Sequence, residues 1–110
     1  MAIAYSDAFK HQLKRLSRRY RRIRFDIQPI VEQLEAGDTP GDQIQCPGYT
    51  VYKVRARNSA AERGKRGGYR IIYYLETEID ILLITIYSKT DQSDIKPDEI
   101  RRIISKEGNG

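Results

Sequence analysis

Between positions 53 and 70 the chain carries Lys53, Arg55, Arg57, Arg63, Lys65, Arg66 and Arg70. These side chains are suited to phosphate: guanidinium offers a planar fork of donors, ammonium a compact charge. Lys53, Arg55 and Arg57 alternate with Val54 and Ala56. Side chains two apart on a strand share a face, so three cations are expected to project together. The run from Arg63 to Arg66 leads through Gly67 and Gly68 into an apolar, aromatic stretch that holds Arg70. A returning strand there can add a further guanidinium to the same surface, and such a face suits a polyanion.

The overall balance agrees without being extreme: Lys and Arg number 20 against 15 acidic residues, giving a net charge of +5. Position matters more than total. Lys10, Lys14, Arg15, Arg18, Arg19, Arg21, Arg22 and Arg24 form a second basic block. Clustering of this kind is the electrostatic footprint of a nucleic-acid binder, although basic helix faces also serve to keep small domains soluble. Cys46 is the one cysteine and His11 the one histidine, so neither an internal disulfide nor a metal site is expected. His11, among Lys10, Gln12 and Lys14, suits a surface role. No signal-peptide core opens the chain, and no run of eighteen apolar residues follows, so the expected setting is cytoplasmic and away from the membrane.

These groups need a scaffold, and a chain of 110 residues is expected to supply it as a single domain, residues 1–110. Ala2 to Tyr5 reads as a short strand. Ser6 or Asp7 then caps a helix with Phe9, Leu13, Leu16 and Tyr20 on one stripe. A second helix buries Ile23, Ile27, Ile30, Val31 and Leu34. Its Pro29 suggests a fresh start capped by Asp26, which would leave the proline in the first turn, and Gly37 ends the helix. Residues 37–42 read as a loop. Tyr49 to Arg57, Tyr69 to Glu76 and Ile79 to Tyr87 read as strands, with a turn at Glu76, Thr77 and Glu78. Lys96 to Ile104 closes as a short helix with Pro97 in its first turn and Ile100, Ile103 and Ile104 on one stripe. The expected fold is α/β of the α+β kind, in the order β-α-α-β-β-β-α. Two N-terminal helices would pack on one face of a mostly antiparallel four-stranded sheet, leaving the other face partly open.

A basic helical pair, a strand reading YKVR, the segment GKRGGYRIIYY, and LLITIYSKTDQSDI followed by PDEIRRII resemble, in that order and spacing, the RelE/ParE superfamily of bacterial toxins. The resemblance covers essentially the whole chain and points to the RelE- and HigB-like messenger-RNA endonucleases. It implies a small RelE-like sandwich, a toxin of a type II toxin–antitoxin system, and three partners: messenger RNA in the ribosomal A site, the ribosome and a cognate antitoxin protein. It implies no cofactor. RNA carries its own nucleophile, the 2′-hydroxyl, so a metal-independent enzyme need only align it, neutralise the phosphorane and protonate the 5′-oxygen.

Carried over by motif, Lys53 and Arg55 match the family's basic pair on the second strand, Arg70 its central arginine, and Lys89 its basic turn. Lys53, crowded by Arg55 and Arg70, is expected to help activate the 2′-hydroxyl, and Arg70 to hold the transition-state phosphate. Lys89 would support the leaving oxygen or that phosphate. Tyr87, two residues back on the same face, would stack a base or donate a proton. Arg57, Lys65 and Arg66 would bind RNA backbone. Relatives often use a His or a Tyr near the C-terminus as proton donor, whereas here no His lies near the strands and no Tyr follows position 87, so Tyr87, Lys89 and Asp91 are all candidates. Asp91, Ser93 and Asp94 also suit a turn before the last helix. Two other readings fit the same fold: a ParE-like inhibitor of DNA gyrase that acts by binding, and a non-catalytic RNA- or protein-binding module.

Overall fold

The computed structural model describes residues 1–59 and 68–108. Its elements are β1 (Ala2–Tyr5), α1 (Asp7–Arg19), α2 (Ile23–Glu35), β2 (Asp42–Ile44), β3 (Val51–Ala56), β4 (Tyr69–Leu75), β5 (Asp80–Ser88) and α3 (Pro97–Gly108). The fold is α+β, and the strands form one sheet ordered β1-β5-β4-β3-β2. β1 runs parallel to β5, and the other pairings are antiparallel.

Ser6 starts α1 by accepting the Phe9 N–H at 2.9 Å while donating to the Ile84 carbonyl at 2.6 Å, so one buried hydroxyl both caps the helix and ties it to β5. The expected late start of α2 is corrected. The helix begins at Ile23, and Pro29 sits inside it. Because Phe25 and Pro29 are both exposed, water can serve the Phe25 carbonyl that the proline leaves without an intrahelical donor. Asp26 does not cap the helix; its buried carboxylate accepts the Ser59 N–H at 3.1 Å. At the other end Asp38 N–H reaches Gln33 O and Gly37 N–H reaches Leu34 O, the paired bonds that close a helix at glycine.

The sheet has five strands where four were expected. β2 escapes sequence reading because Asp42, Gln43 and Ile44 carry little strand preference; pairing with β3 makes them a strand, with Asp42 opposite Lys53. Gly41 permits this, since a Cβ there would collide with the Lys53 carbonyl.

Both sheet faces carry an apolar cluster. On one, Phe9 and Leu16 of α1 and Ile23, Ile27, Ile30 and Leu34 of α2 meet inward residues of β3, β4 and β5, among them Val54, Ile71 and Leu83. On the other, Ile100, Ile103 and Ile104 of α3 join Ile95 and Cys46 over Val51, Ile72, Leu82 and Ile84. That second face is therefore less open than expected, and Cys46 is part of its packing. Among the described residues no helix is long and apolar enough to cross a membrane.

Candidate nucleic-acid interface

One irregularity in the sheet decides what meets what. Ile72 of β4 pairs with Thr85 of β5, but Tyr73 pairs with Leu83, so Ile84 is an extra residue opposite that step. Such a bulge shifts the alternation of the bulged strand by one. Before it, Ile81 and Leu83 face the helices α1 and α2; after it, Tyr87 faces the α3 side with Ile72 and Leu82. Without the extra residue Tyr87 would point the other way.

The register then aligns Arg55 of β3, Arg70 of β4 and Tyr87 of β5 in one row across three strands. Directly opposed residues share a face, so both guanidinium groups and the phenol project from the α3 side. Lys53 lies two residues before Arg55 on that face, beside Ile72. The expectation that β4 returns an arginine to the basic face of β3 is met. Gly68 helps to set the row: its φ is +78°, and a Cβ there would lie 2.8 Å from the Ala56 carbonyl oxygen. The Gly68 carbonyl accepts the Lys89 N–H at 3.1 Å, tying the start of β4 to the turn after β5.

Sequence reasoning missed the carboxylate at the centre. Asp94 Oδ1 lies 3.6 Å from Lys53 Nζ and accepts from Tyr87 Oη at 3.5 Å. Lys53 is on β3 and Tyr87 on β5, strands separated by β4, so this oxygen stands over the middle strand where the row of cations runs. The Ile95 N–H bonds to the same oxygen at 2.9 Å. That amide above all holds the Asp94 carboxyl below the usual carboxylate range; burial, the next largest effect, opposes it, and the Lys53 ammonium and the Tyr87 hydroxyl add to the lowering. The like-charge crowding expected around Lys53 is relieved by this carboxylate, and Asp42 of β2 is the register partner of Lys53 on its other side. A signal for Asp94 was present in Ile95, an isolated apolar residue in a polar stretch. Its burial draws its neighbour onto the sheet face.

Tyr87 is 2% exposed. Burial first, and the Asp94 carboxylate second, push its phenol above the usual tyrosine value, while the Arg70 guanidinium works against them. The group is thus a proton or hydrogen-bond donor through the neutral range. Lys89 is exposed, lies one residue past β5, and donates from Nζ to the Ser93 carbonyl at 3.0 Å. Its link is to the turn that carries Asp94.

Two other expectations, for Arg57 and Asp91, are corrected. β3 ends at Ala56, so strand alternation does not carry Arg57 onto the face of Lys53 and Arg55. Asp91, one candidate proton donor, is bound to Arg19 of α1 at 3.0 Å, which commits it to an ion pair with the helix block. Arg63, Lys65 and Arg66 lie outside the described residues. Tyr73 is fully buried and donates to the Pro40 carbonyl at 2.6 Å, a structural role. His11 lines a cleft of about 480 Å³ between α1 and α3 whose walls include none of the row residues. No family model matches the chain.

Proposed function

We propose that the α3 side of the sheet binds RNA backbone and that the protein is a ribosome-dependent messenger-RNA endonuclease, the toxin of a type II toxin–antitoxin pair. The observation that carries this reading is the row Arg55, Arg70 and Tyr87 with Lys53 beside it. Two guanidinium groups and a phenol aligned on one face, with an ammonium beside them, match the donor geometry that a phosphate group accepts. In the reaction, the 2′-hydroxyl gives its proton to solvent water as its oxygen bonds to phosphorus and the bond to the 5′-oxygen breaks, leaving a 2′,3′-cyclic phosphate and a 5′-hydroxyl. Arg70 and Arg55 stabilise the added charge of the phosphorane. Lys53, with Asp94 as its counter-ion, orients the phosphate and the 2′-hydroxyl. The Tyr87 phenol, protonated at neutral pH, is the donor to the leaving 5′-oxygen. Lys89 supports the same phosphate from the adjacent turn.

Sequencing of RNA ends after translation in the presence of the purified protein tests the proposal. Cuts within translated codons, insensitive to chelator and ending in cyclic phosphate, are expected. Intact RNA together with inhibited supercoiling by purified gyrase would replace this reading with gyrase inhibition, and no effect in either assay would leave a binding module.

A further inference from the structure

The block between Asp7 and Asp26 contains eight cations and no acidic residue. At its C-terminal end is a side chain that packing does not explain. Phe25, in the first turn of α2, is 66% exposed. The Arg22 guanidinium lies 4.7 Å from its ring centroid, and the Nε of that arginine donates to Ser59 Oγ at 3.0 Å, which fixes the guanidinium plane. Arg21 and Arg24 flank the pair and are exposed. Asp26, next in sequence, is buried and takes the Ser59 N–H, and Asp91, in the turn after β5, is engaged by Arg19. An exposed aromatic ring among arginines is what an unpaired base stacks on, with the flanking phosphates meeting guanidinium groups.

The location of this ring points the same way. Ser59 lies three residues beyond β3, and the Arg19–Asp91 pair reaches the turn that also carries Lys89 and Asp94. Tyr20, between α1 and α2, lies 3.3 Å from Thr90 in the same turn, oxygen to oxygen. The helix junction and the cationic row therefore share one end of the sheet, on its two sides.

We infer that Phe25 with Arg21, Arg22 and Arg24 forms a second RNA-binding surface, on which an unpaired base stacks against the ring while the arginines hold the adjoining backbone. This rests on the reading of the protein as one that acts on RNA, and it adds a surface distinct from the cleavage face. RNA chosen for cutting on one side of the sheet end is gripped on the other.

The test uses a short, fluorescently labelled single-stranded RNA with 2′-O-methyl riboses. Lacking the nucleophilic hydroxyl, it reports binding whether or not the protein cuts RNA. Phe25→Ala should weaken its affinity roughly 5- to 100-fold, and Phe25→Trp should restore it. Phe25→Leu, which keeps an apolar side chain but no π face, should weaken it as Phe25→Ala does. The salt dependence should be unchanged in these variants. Replacing Arg21, Arg22 and Arg24 by Gln should instead flatten it, by about 0.7 in the log–log slope for each phosphate that is no longer neutralised. Unaltered affinity in folded Phe25→Leu protein overturns the inference, as does failure of Phe25→Trp to recover binding. Loss of a protein partner in Phe25→Ala with RNA affinity intact overturns it too. If messenger RNA is never cut yet Phe25→Leu weakens oligonucleotide binding, the cleavage reading falls and this surface stands.

Discussion

The two faces of the sheet are built from the same strands and treated differently. Toward α1 and α2 the sheet is dry: two helices of 13 residues each cover it, and Phe9, Ile23, Leu34, Ile71, Tyr73 and Leu83 are fully buried. Toward α3 the cover is a single 12-residue helix over Ile72, Leu82 and Ile84. Where that cover stops, the same face presents Lys53, Arg55 and Arg70, with Tyr87 at the border between apolar packing and charge. The helix-covered face supplies stability, and the half-covered face gathers charged groups in one row. The candidate site is where packing was left incomplete, and the bulge at Ile84 is the device that lets β5 serve both faces.

The comparison breaks if the faces exchange roles. Phe9→Ala on the dry face should cost about 3–5 kcal/mol, read from denaturant midpoints, because the ring is fully buried and its cavity would not refill. That is a large share of the roughly 5–15 kcal/mol typical of a domain. Arg70→Ala should leave the midpoint nearly unchanged while cleavage falls roughly 10²–10³-fold, about 3–4 kcal/mol of transition-state stabilisation. A folded Arg70→Ala protein that cuts RNA as well as the parent would remove the catalytic claim from the half-covered face.

Much of this division was legible in the sequence. The alternation at Lys53 and Arg55 and the apolar stripes of α1, α2 and α3 are period signals, and each reports its own element well. What escaped were relations between elements. β2 exists only because β3 pairs with it. Pro29 was read by local preference, which tertiary packing of Ile23 and Ile27 overrode. Asp91 and Asp94 are three residues apart in one turn, yet one reaches α1 and the other reaches β3 and β5, a split that no spacing rule resolves. The facing of Tyr87 was expected to match that of Lys89 by counting in twos; in the structure a bulge sets it, and the strand ends before Lys89.

A third prediction sharpens the dry face. The Tyr69 hydroxyl is buried without a hydrogen-bond partner among the described residues, and burial, then Asp26 and Tyr20, pushes its phenol up to about 12. A group whose pKa is raised on folding contributes its stability fully below the unfolded value, here 10.0, and loses it as pH climbs toward the folded one. The protein should therefore lose up to about 3 kcal/mol between pH 10 and 12 on account of this residue. Tyr69→Phe should abolish that part of the loss, and at pH 7 it should be neutral or stabilising by about 1 kcal/mol, since no bond is given up. Urea titrations at neutral and alkaline pH give both numbers. A Tyr69→Phe protein that is clearly weaker at pH 7 would show that the hydroxyl has a partner after all.

The smallest effect is expected on the half-covered face, at Asp94. Its carboxylate occupies the space over β4 between Lys53 and Tyr87, and a phosphate drawn to Lys53 and Arg70 has to meet or displace it. Asp94→Asn keeps an oxygen that can accept from Ile95 N–H, so the entry to α3 should survive, but it removes the negative charge. Affinity for non-cleavable RNA should then tighten by a few-fold at low salt, in keeping with the roughly 0.2–1 kcal/mol usual for an exposed ion pair, since the Asp94 side chain is 63% exposed. The same substitution has a signature in acid. Because the Asp94 pKa is lowered on folding, its contribution to stability is present above the ordinary value of 3.8 and lost as pH falls through the folded value. The Asn variant should therefore show a shallower decline of stability below about pH 4 than the parent. Weaker RNA binding by Asp94→Asn would mean that the carboxylate orders the cations for phosphate and does not compete with it.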